Sequence, residues 1–246
     1  MATAHTHDSL IYKQDYTVRI HEINAAKQLT IPALIKLLHE TSMQHLLTLQ
    51  ASSWHLAEQS LSWVLLKQRV DVQRPIAYGE KVTVVTYPSG FDKFFGYRDY
   101  LVFDTNKKLA ATSATMWSLI DTATRKIARV PDELRALAAP PDIKLLQRPT
   151  TKIQLPTQMV PHSTHPVQYY DMDWNDHVNS AVLARLMLAS LLSDPAAEAS
   201  VQSVHIQYKN ESRLGDQLHS CISADNSICK LVCADKLIAA IQVGRL

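Results

Sequence analysis

The densest group of side chains suited to acid–base chemistry lies at residues 171–179, with the sequence DMDWNDHVN. If this segment is extended, Asp173, Asn175 and His177 project to one side, because side chains alternate along an extended chain. A carboxylate, an amide and an imidazole then meet at the start of a predicted helix, where free N–H groups and the helix dipole favour negative charge. Such a group could bind and polarise a carbonyl.

The same segment allows two other interpretations. It imitates the start of a calcium loop, but its sixth position is Asp176 instead of glycine and its twelfth is Val182 instead of glutamate. Calcium is therefore excluded. An Asx turn that caps the helix would use Asn179, with Asp176 as a second candidate, and the segment taken alone does not decide between this structural role and catalysis.

An internal repeat supplies the elements that must position these residues. Each half contains a strand, a polar connection and an apolar helix, followed by four more strands separated by turn residues. The first half places its strand at residues 16–21, its helix at 31–50 and the later strands at 61–74, 82–87, 94–104 and 109–120. The second half places them at 166–170, 180–192, 201–209, 217–224, 228–233 and 236–243. Each half is thus a long helix wrapped by an antiparallel sheet, which predicts an α+β fold.

A proline-rich segment separates the two halves. Six of the 11 prolines lie between residues 140 and 166, a density that regular elements do not tolerate. We therefore predict an N-terminal domain at residues 1–138, a linker at 139–164 and a C-terminal domain at 165–246.

The reactive groups occur in only one copy of the repeat. Asn24, Ala26 and Gln28 align with Asp173, Asn175 and His177. Glu211 precedes a glycine-containing turn of the second half, where the first half has Pro75. This asymmetry favours a catalytic role for the second-half residues.

The composition excludes several classes of enzyme. The chain has 5 glycines in 246 residues, and they form neither a phosphate-binding loop nor a dinucleotide fingerprint. It also lacks the G-x-S-x-G turn of many serine hydrolases. We expect no nucleotide-dependent chemistry, no cofactor and no metal.

Net charge, hydropathy and cysteine content indicate the cellular location and exclude some classes of partner. A net charge of +2 is small for a dedicated nucleic-acid binder, and no apolar stretch reaches the ~18 residues of a transmembrane helix. The three cysteines are odd in number and crowded near the end of the chain, which does not indicate a disulfide framework. With no signal or transit peptide recognised, we predict a cytoplasmic protein that binds neither nucleic acid nor membrane.

Several segments resemble the acyl-acyl carrier protein thioesterases of plant plastids and bacteria. They are LSWVLLKQRVDVQRPIAYGEKVTV, DYLVFDTNKKLAATSATMWSLID, RKIARVPDELRAL, DWNDHVNS and YKNESRLGD, which together extend over nearly the whole chain. The resemblance implies a tandem double hot-dog fold, with the acyl pocket in the N-terminal hot dog and the active site in the C-terminal one. It implies hydrolysis of fatty acyl-acyl carrier protein thioesters to free fatty acid and acyl carrier protein.

The same resemblance assigns the catalytic residues. The family's Asp, Asn, His and Glu fall on Asp173, Asn175, His177 and Glu211. Ser212 stands where the plant enzymes often have a cysteine, which argues against a cysteine nucleophile, and Ser180 replaces a second asparagine. Which carboxylate acts as base or nucleophile is left open.

The implied partner is acyl carrier protein carrying a fatty acyl chain, and that protein is acidic. Residues 1–150 have a net charge of +4 and residues 151–246 a net charge of −2. We expect some of the basic residues between 93 and 129 to form the docking surface; they are Lys93, Arg98, Lys107, Lys108, Arg125, Lys126 and Arg129. A hot-dog enzyme acting on coenzyme A thioesters and a non-catalytic acyl-binding regulator are the alternatives, and a homodimer is left open.

Overall fold

The computed structural model describes residues 7–138, 143 and 145–245. Residues 139–142 and 144 of the predicted linker lie outside the described residues. The first half contains β1 (Tyr12–Thr17), α1 (Ile31–Thr48), α2 (Ser53–Leu56), β2 (Leu61–Val72), β3 (Lys81–Phe91), β4 (Phe95–Asp104), β5 (Leu109–Asp121), β6 (Ile127–Ala128) and α3 (Asp132–Arg135). The second contains β7 (Val160–Pro166), α4 (Ser180–Leu191), α5 (Pro195–Ala199), β8 (Val201–Tyr208), β9 (Gln217–Ile222), β10 (Ile228–Cys233) and β11 (Lys236–Arg245).

The two long helices begin at side-chain caps. Thr30 Oγ1 accepts a hydrogen bond from the N–H of Ala33, and Asn179 Oδ1 accepts one from the N–H of Ala181. These caps satisfy N–H groups that have no partner within the helix. The helix-capping role considered for Asn179 is therefore confirmed.

The strands form one antiparallel sheet with the order β1-β3-β4-β5-β2-β8-β11-β10-β9-β7, and β6 pairs with β5. The halves join where β2 pairs with β8, through residues such as Lys67 with Gln207 and Val70 with Val204. The sheet therefore continues from one half into the other.

One hydrophobic core spans both halves. Ile35 of α1, Met187 of α4 and Ile206 of β8 are fully buried members of a single cluster. Burial of each such side chain contributes about 1.5–3 kcal/mol. The two helices therefore share one core with the sheet.

Two predicted strands lie further along the chain than the observed ones. β1 ends at Thr17 and β7 at Pro166, and each is followed by a short 3-10 turn, Ile20–Glu22 or Tyr169–Asp171. Glu22 Oε2 accepts from the N–H of Arg19 (2.7 Å), as Asp171 Oδ2 does from the N–H of Gln168 (3.0 Å). These bonds turn the backbone out of the strand direction.

Two residues between the halves, Thr150 and Thr151, contact the sheet through their carbonyls. Lys67 Nζ donates to the carbonyls of Thr150 and Thr151, and Gln207 Nε2 donates to Thr151 as well. β7 occupies the last residues of the predicted linker, since an edge strand tolerates prolines. No helix in the described part of the chain is long and apolar enough to cross a membrane.

Candidate active site

The segment that carries Asp173, Asn175 and His177 is a compact loop. An antiparallel bridge between Met172 and Val178 closes it, and Asp176 has a left-handed backbone (φ 55°). The segment is therefore a turn and not an extended chain. Asp173 Oδ1 accepts from the N–H groups of Asn175 (2.9 Å) and His177 (3.3 Å), and these bonds hold the turn closed.

The first half contains the same loop without the reactive groups. Ile23 bridges Leu29, and Lys27 is left-handed (φ 60°). Asn24 Oδ1 accepts from the N–H groups of Ala26 (3.0 Å) and Gln28 (3.1 Å). The amide oxygen of Asn24 thus closes its loop in the same way as the carboxylate oxygen of Asp173 closes the second one.

His177 and Glu211 form an ion pair or hydrogen bond next to this loop. The distance from His177 Nε2 to Glu211 Oε2 is 3.0 Å, and their side chains are 15% and 30% exposed. The N–H of Val178 donates to the carbonyl of Ser212 (2.9 Å), which fixes the loop beside the turn that carries Glu211. The structure therefore brings the sequence-predicted His177 and Glu211 into contact.

Asn175 contacts the other ring nitrogen of His177. Its Nδ2 lies 3.3 Å from His177 Nδ1. Both contacts are satisfied when Nε2 carries the proton and donates to Glu211, because Nδ1 can then accept from the amide. The ring is held at both nitrogens.

Arg125 is a site residue that was predicted from the sequence only as a candidate for the docking surface. Its Nη2 contacts Glu211 Oε1, so it reaches the site from the first half, and its role in docking stays a prediction. Arg98, also predicted for docking, is 6% exposed and contacts His45 Nδ1 and Thr86 Oγ1. Burial removes it from any docking surface.

These residues lie on the wall of a cavity of about 970 Å³ that both halves line. The first half contributes mainly apolar and aromatic side chains, among them Met43, Leu46, Trp63, Phe91 and Trp117. The second half contributes Asp173, Trp174, Asn175, His177, Leu183 and Glu211. A polar wall therefore faces a largely apolar space.

Two further polar residues support the cavity wall. His39 of α1 contacts Gln68 Oε1 (3.2 Å) and Ser180 Oγ (3.4 Å), and burial lowers its pKa to about 4 despite the hydrogen bond to Gln68. His39 is therefore neutral near pH 7. Tyr208 donates to the carbonyl of Ser180 (3.3 Å), and burial raises the pKa of its hydroxyl.

In the part of the chain that the structure describes, neither Ser212 nor any of the three cysteines has a base in hydrogen-bond contact with it, as His177 has Glu211. Ser212 is 2% exposed, and its Oγ has no hydrogen-bond partner among the described protein atoms. Cys221, Cys229 and Cys233 are free thiols outside the cavity lining, and burial raises the pKa of Cys229 to about 12.

Comparison with protein families covers most of the chain. The model of the acyl-ACP thioesterase N-terminal domain matches residues 9–138, and that of the C-terminal domain matches residues 156–242. The chain belongs to the acyl-ACP thioesterase family. The family resemblance predicted from the sequence is confirmed.

Curated relatives of this acyl-ACP thioesterase family member are plant proteins. An acyl-[acyl-carrier-protein] hydrolase of Cuphea viscosissima is 26% identical over 233 residues, which are 89% of this chain and 57% of that protein. A palmitoyl-acyl carrier protein thioesterase of Arabidopsis thaliana is 27% identical over 217 residues, 83% of this chain and 53% of its own length. The chain thus spans about half the length of the curated relatives it matches.

Solved structures of the family share the fold. An acyl-ACP thioesterase from Bacteroides thetaiotaomicron superimposes with a TM-score of 0.81 at 19% identity, covering 97% of this chain and 99% of that one. A 12:0-ACP thioesterase from Umbellularia californica gives a TM-score of 0.76 at 19% identity, covering 95% and 96%. The predicted α+β, double hot-dog fold is confirmed.

Proposed function

We propose that this chain hydrolyses fatty acyl-acyl carrier protein thioesters to free fatty acid and acyl carrier protein. The observation that carries the proposal is the contact between His177 and Glu211 on the wall of a cavity lined by both halves. Family membership and the printed names of the curated relatives support the same reaction.

We assign the general base to Glu211. Its carboxylate has lone pairs left after the contacts with His177 and Arg125, so it can take a proton from a water molecule. The water oxygen then bonds to the thioester carbonyl carbon. The C–S bond breaks as the tetrahedral intermediate collapses, and the proton passes from Glu211 to the leaving sulfur, which yields a carboxylic acid and a thiol.

Asn175 and Asp173 support this step in different ways. The amide of Asn175 has two N–H donors; one contacts His177 and the second can stabilise the developing oxyanion of the substrate. Asp173 holds the loop through its bonds to backbone N–H groups. The proposed catalytic set is therefore Asp173, Asn175, His177 and Glu211, with Asp173 acting on the loop.

We propose the division of labour predicted from the sequence. Residues 1–138 form the N-terminal domain that moulds the acyl pocket, residues 139–164 connect the domains, and residues 165–246 form the catalytic domain. The apolar residues that the first half contributes to the cavity support this division. A cytoplasmic location stays a prediction and a homodimer stays open, and the curated relatives are named as chloroplastic.

The test is release of free thiol from acyl carrier protein and coenzyme A thioesters of graded chain length. We expect a higher kcat/KM for the carrier-protein thioesters, and a decrease of that value with salt, because steering between exposed charges is screened. Glu211→Gln and His177→Ala should each lower kcat by roughly 10² to 10⁴, the usual contribution of a positioned acid or base.

Two variants serve as controls. Glu58→Gln changes an exposed glutamate outside the cavity lining and should leave turnover unchanged, and Ser212→Ala should retain substantial activity. Parental turnover by folded Glu211→Gln would refute the assigned site. A preference for coenzyme A thioesters, or acyl binding without turnover, would establish one of the alternative functions.

A further inference from the structure

The first half contributes a charged residue to the proposed catalytic carboxylate. Arg125 lies in the turn between β5 and β6, and its Nη2 contacts Glu211 Oε1. The other carboxylate oxygen, Oε2, is 3.0 Å from His177 Nε2. Each oxygen of Glu211 thus has one partner, one from each half of the chain.

The turn holds Arg125 in a defined direction. Asp121 Oδ1 accepts from the N–H groups of Ala123 (3.0 Å) and Thr124 (2.7 Å), and the N–H of Arg125 donates to the carbonyl of Asp121 (2.8 Å). The N–H of Thr122 also donates to the carbonyl of Ser60 (2.8 Å), which fastens the turn to the residue that precedes β2. Arg125 itself has a left-handed backbone (φ 60°). This network directs the side chain toward the second half.

We infer that Arg125 is a positioning residue, which fixes the Glu211 carboxylate so that its second oxygen meets His177. The inference rests on the proposed function. A carboxylate at the end of a glutamate side chain can rotate, whereas a planar guanidinium restricts the orientation of a carboxylate bound to it. A proton acceptor must be held close to its productive geometry, and a misplacement of about 1 Å can cost about 10²-fold in rate.

The pair has two other interpretations. As an exposed ion pair it would contribute little to stability, with Arg125 51% exposed and Glu211 30% exposed. As part of a docking surface, Arg125 would act on binding of the acidic partner and not on the chemical step. These three roles predict different kinetics.

The experiment compares Arg125→Ala and Arg125→Lys with the parent on two substrates that carry the same acyl chain, the carrier-protein thioester and the N-acetylcysteamine thioester. We expect Arg125→Ala to lower kcat roughly 10- to 100-fold on both substrates, with KM changed little. Arg125→Lys should recover part of the loss, and added guanidinium should raise kcat of Arg125→Ala.

The matched control is Arg69→Ala. Arg69 forms an ion pair with Asp71 (2.8 Å) at a similar exposure of 44% and 30%, and neither residue lines the cavity. Removing this pair should leave kcat unchanged on both substrates, and guanidinium should have no effect on the variant.

A double-mutant comparison tests whether Arg125 acts on kcat through Glu211. If Arg125 acts through Glu211, Arg125→Ala combined with Glu211→Gln should be no slower than Glu211→Gln alone, because residues that act as a unit are not additive. Multiplied losses in the double variant would refute the inference. So would a rise in KM confined to the carrier-protein substrate, or parental kinetics with reduced stability.

The outcome also separates this inference from the proposed function. If Glu211→Gln hydrolyses the thioesters at the parental rate, the assigned catalytic site is wrong. If Glu211→Gln is nearly inactive while Arg125→Ala has parental kcat, the proposed function stands and the role of Arg125 is refuted.

Discussion

Asp173 and Asn24 do the same structural work in two copies of one loop. Each side-chain oxygen accepts from the backbone N–H groups two and four residues further on. Because the first half builds this loop with an amide, the charge of Asp173 is not required for its shape. The catalytic value of Asp173 is thus open to a direct test at a single position.

We expect Asp173→Asn to retain activity within about tenfold of the parent, since the amide oxygen can still accept both bonds. Asp173→Ala removes the acceptor for two N–H groups, and each intramolecular hydrogen bond contributes about 0.5–1.5 kcal/mol, so turnover should fall by about 10-fold or more below that of Asp173→Asn. Steady-state hydrolysis and thermal unfolding of both variants check this. Equal, severe losses in the two variants would assign the carboxylate charge itself to the chemistry.

At the scale of elements, His39 connects its own helix with three other elements. It lies on α1, contacts Gln68 of β2 and reaches Ser180 at the first turn of α4. Its ring also packs edge-on against Trp117 of β5. Burial that holds its pKa at about 4 therefore links protonation to the packing of both helices.

We expect the stability of the protein to fall as pH drops from about 6.5 toward 4. His39 has a folded pKa of about 4 against an ordinary value of 6.5, so in this window the unfolded chain binds more protons and gains stability. At about 1.4 kcal/mol per pKa unit, the loss from His39 is at most about 3.5 kcal/mol. Urea unfolding at pH 7 and pH 4.5 measures it.

His39→Gln should reduce this pH dependence, while His21→Gln, at an exposed position, is the matched control. His205 also has a pKa of about 4, lowered by burial and by Lys67 and Arg69, so part of the dependence should persist. An unchanged difference between the two pH values in His39→Gln would contradict the prediction.

The positions of the helices could be predicted from the sequence more closely than the ends of the strands. Apolar periodicity and caps located α1 and α4, because Thr30 and Asn179 carry the signal for a helix start within the local sequence. The ends of β1 and β7 were predicted incorrectly because side-chain bonds from Glu22 and Asp171, not strand propensity, turn the chain there.

The candidate site was predictable only in part. His177, Asn175 and Asp173 are close in sequence, and the comparison of the two halves singled out Glu211. Arg125 is 86 positions from Glu211, and the two meet only because β2 pairs with β8 and folds the halves together. A run of basic residues has the same local pattern whether it contacts a partner or a carboxylate of its own chain.

At the scale of the whole molecule, the shared sheet and core predict cooperative unfolding. Met187 of α4 is fully buried in a cluster that includes Ile35 and Leu38 of α1. Damage to the packing of the second half should therefore destabilise the first half as well.

We expect Met187→Ala to destabilise the chain by about 2–5 kcal/mol, which corresponds to a decrease in Tm of roughly 5–15 °C. Three of the four tryptophans, Trp54, Trp63 and Trp117, lie in the first half, so fluorescence reports mainly on that half. Fluorescence and far-UV circular dichroism should shift together. An unchanged fluorescence midpoint would show that the halves unfold independently.

The duplicated loop also affects how the sequence of this protein can evolve. In a closed pair of identical chains, symmetry imposes every substitution on both copies of a site. Here the two copies lie in one chain, and they have already diverged, with Asn24 in one and Asp173 in the other. Substitutions in the apolar wall can therefore accumulate without touching His177 or Glu211, and under the proposed function acyl-chain selection can then change separately from turnover.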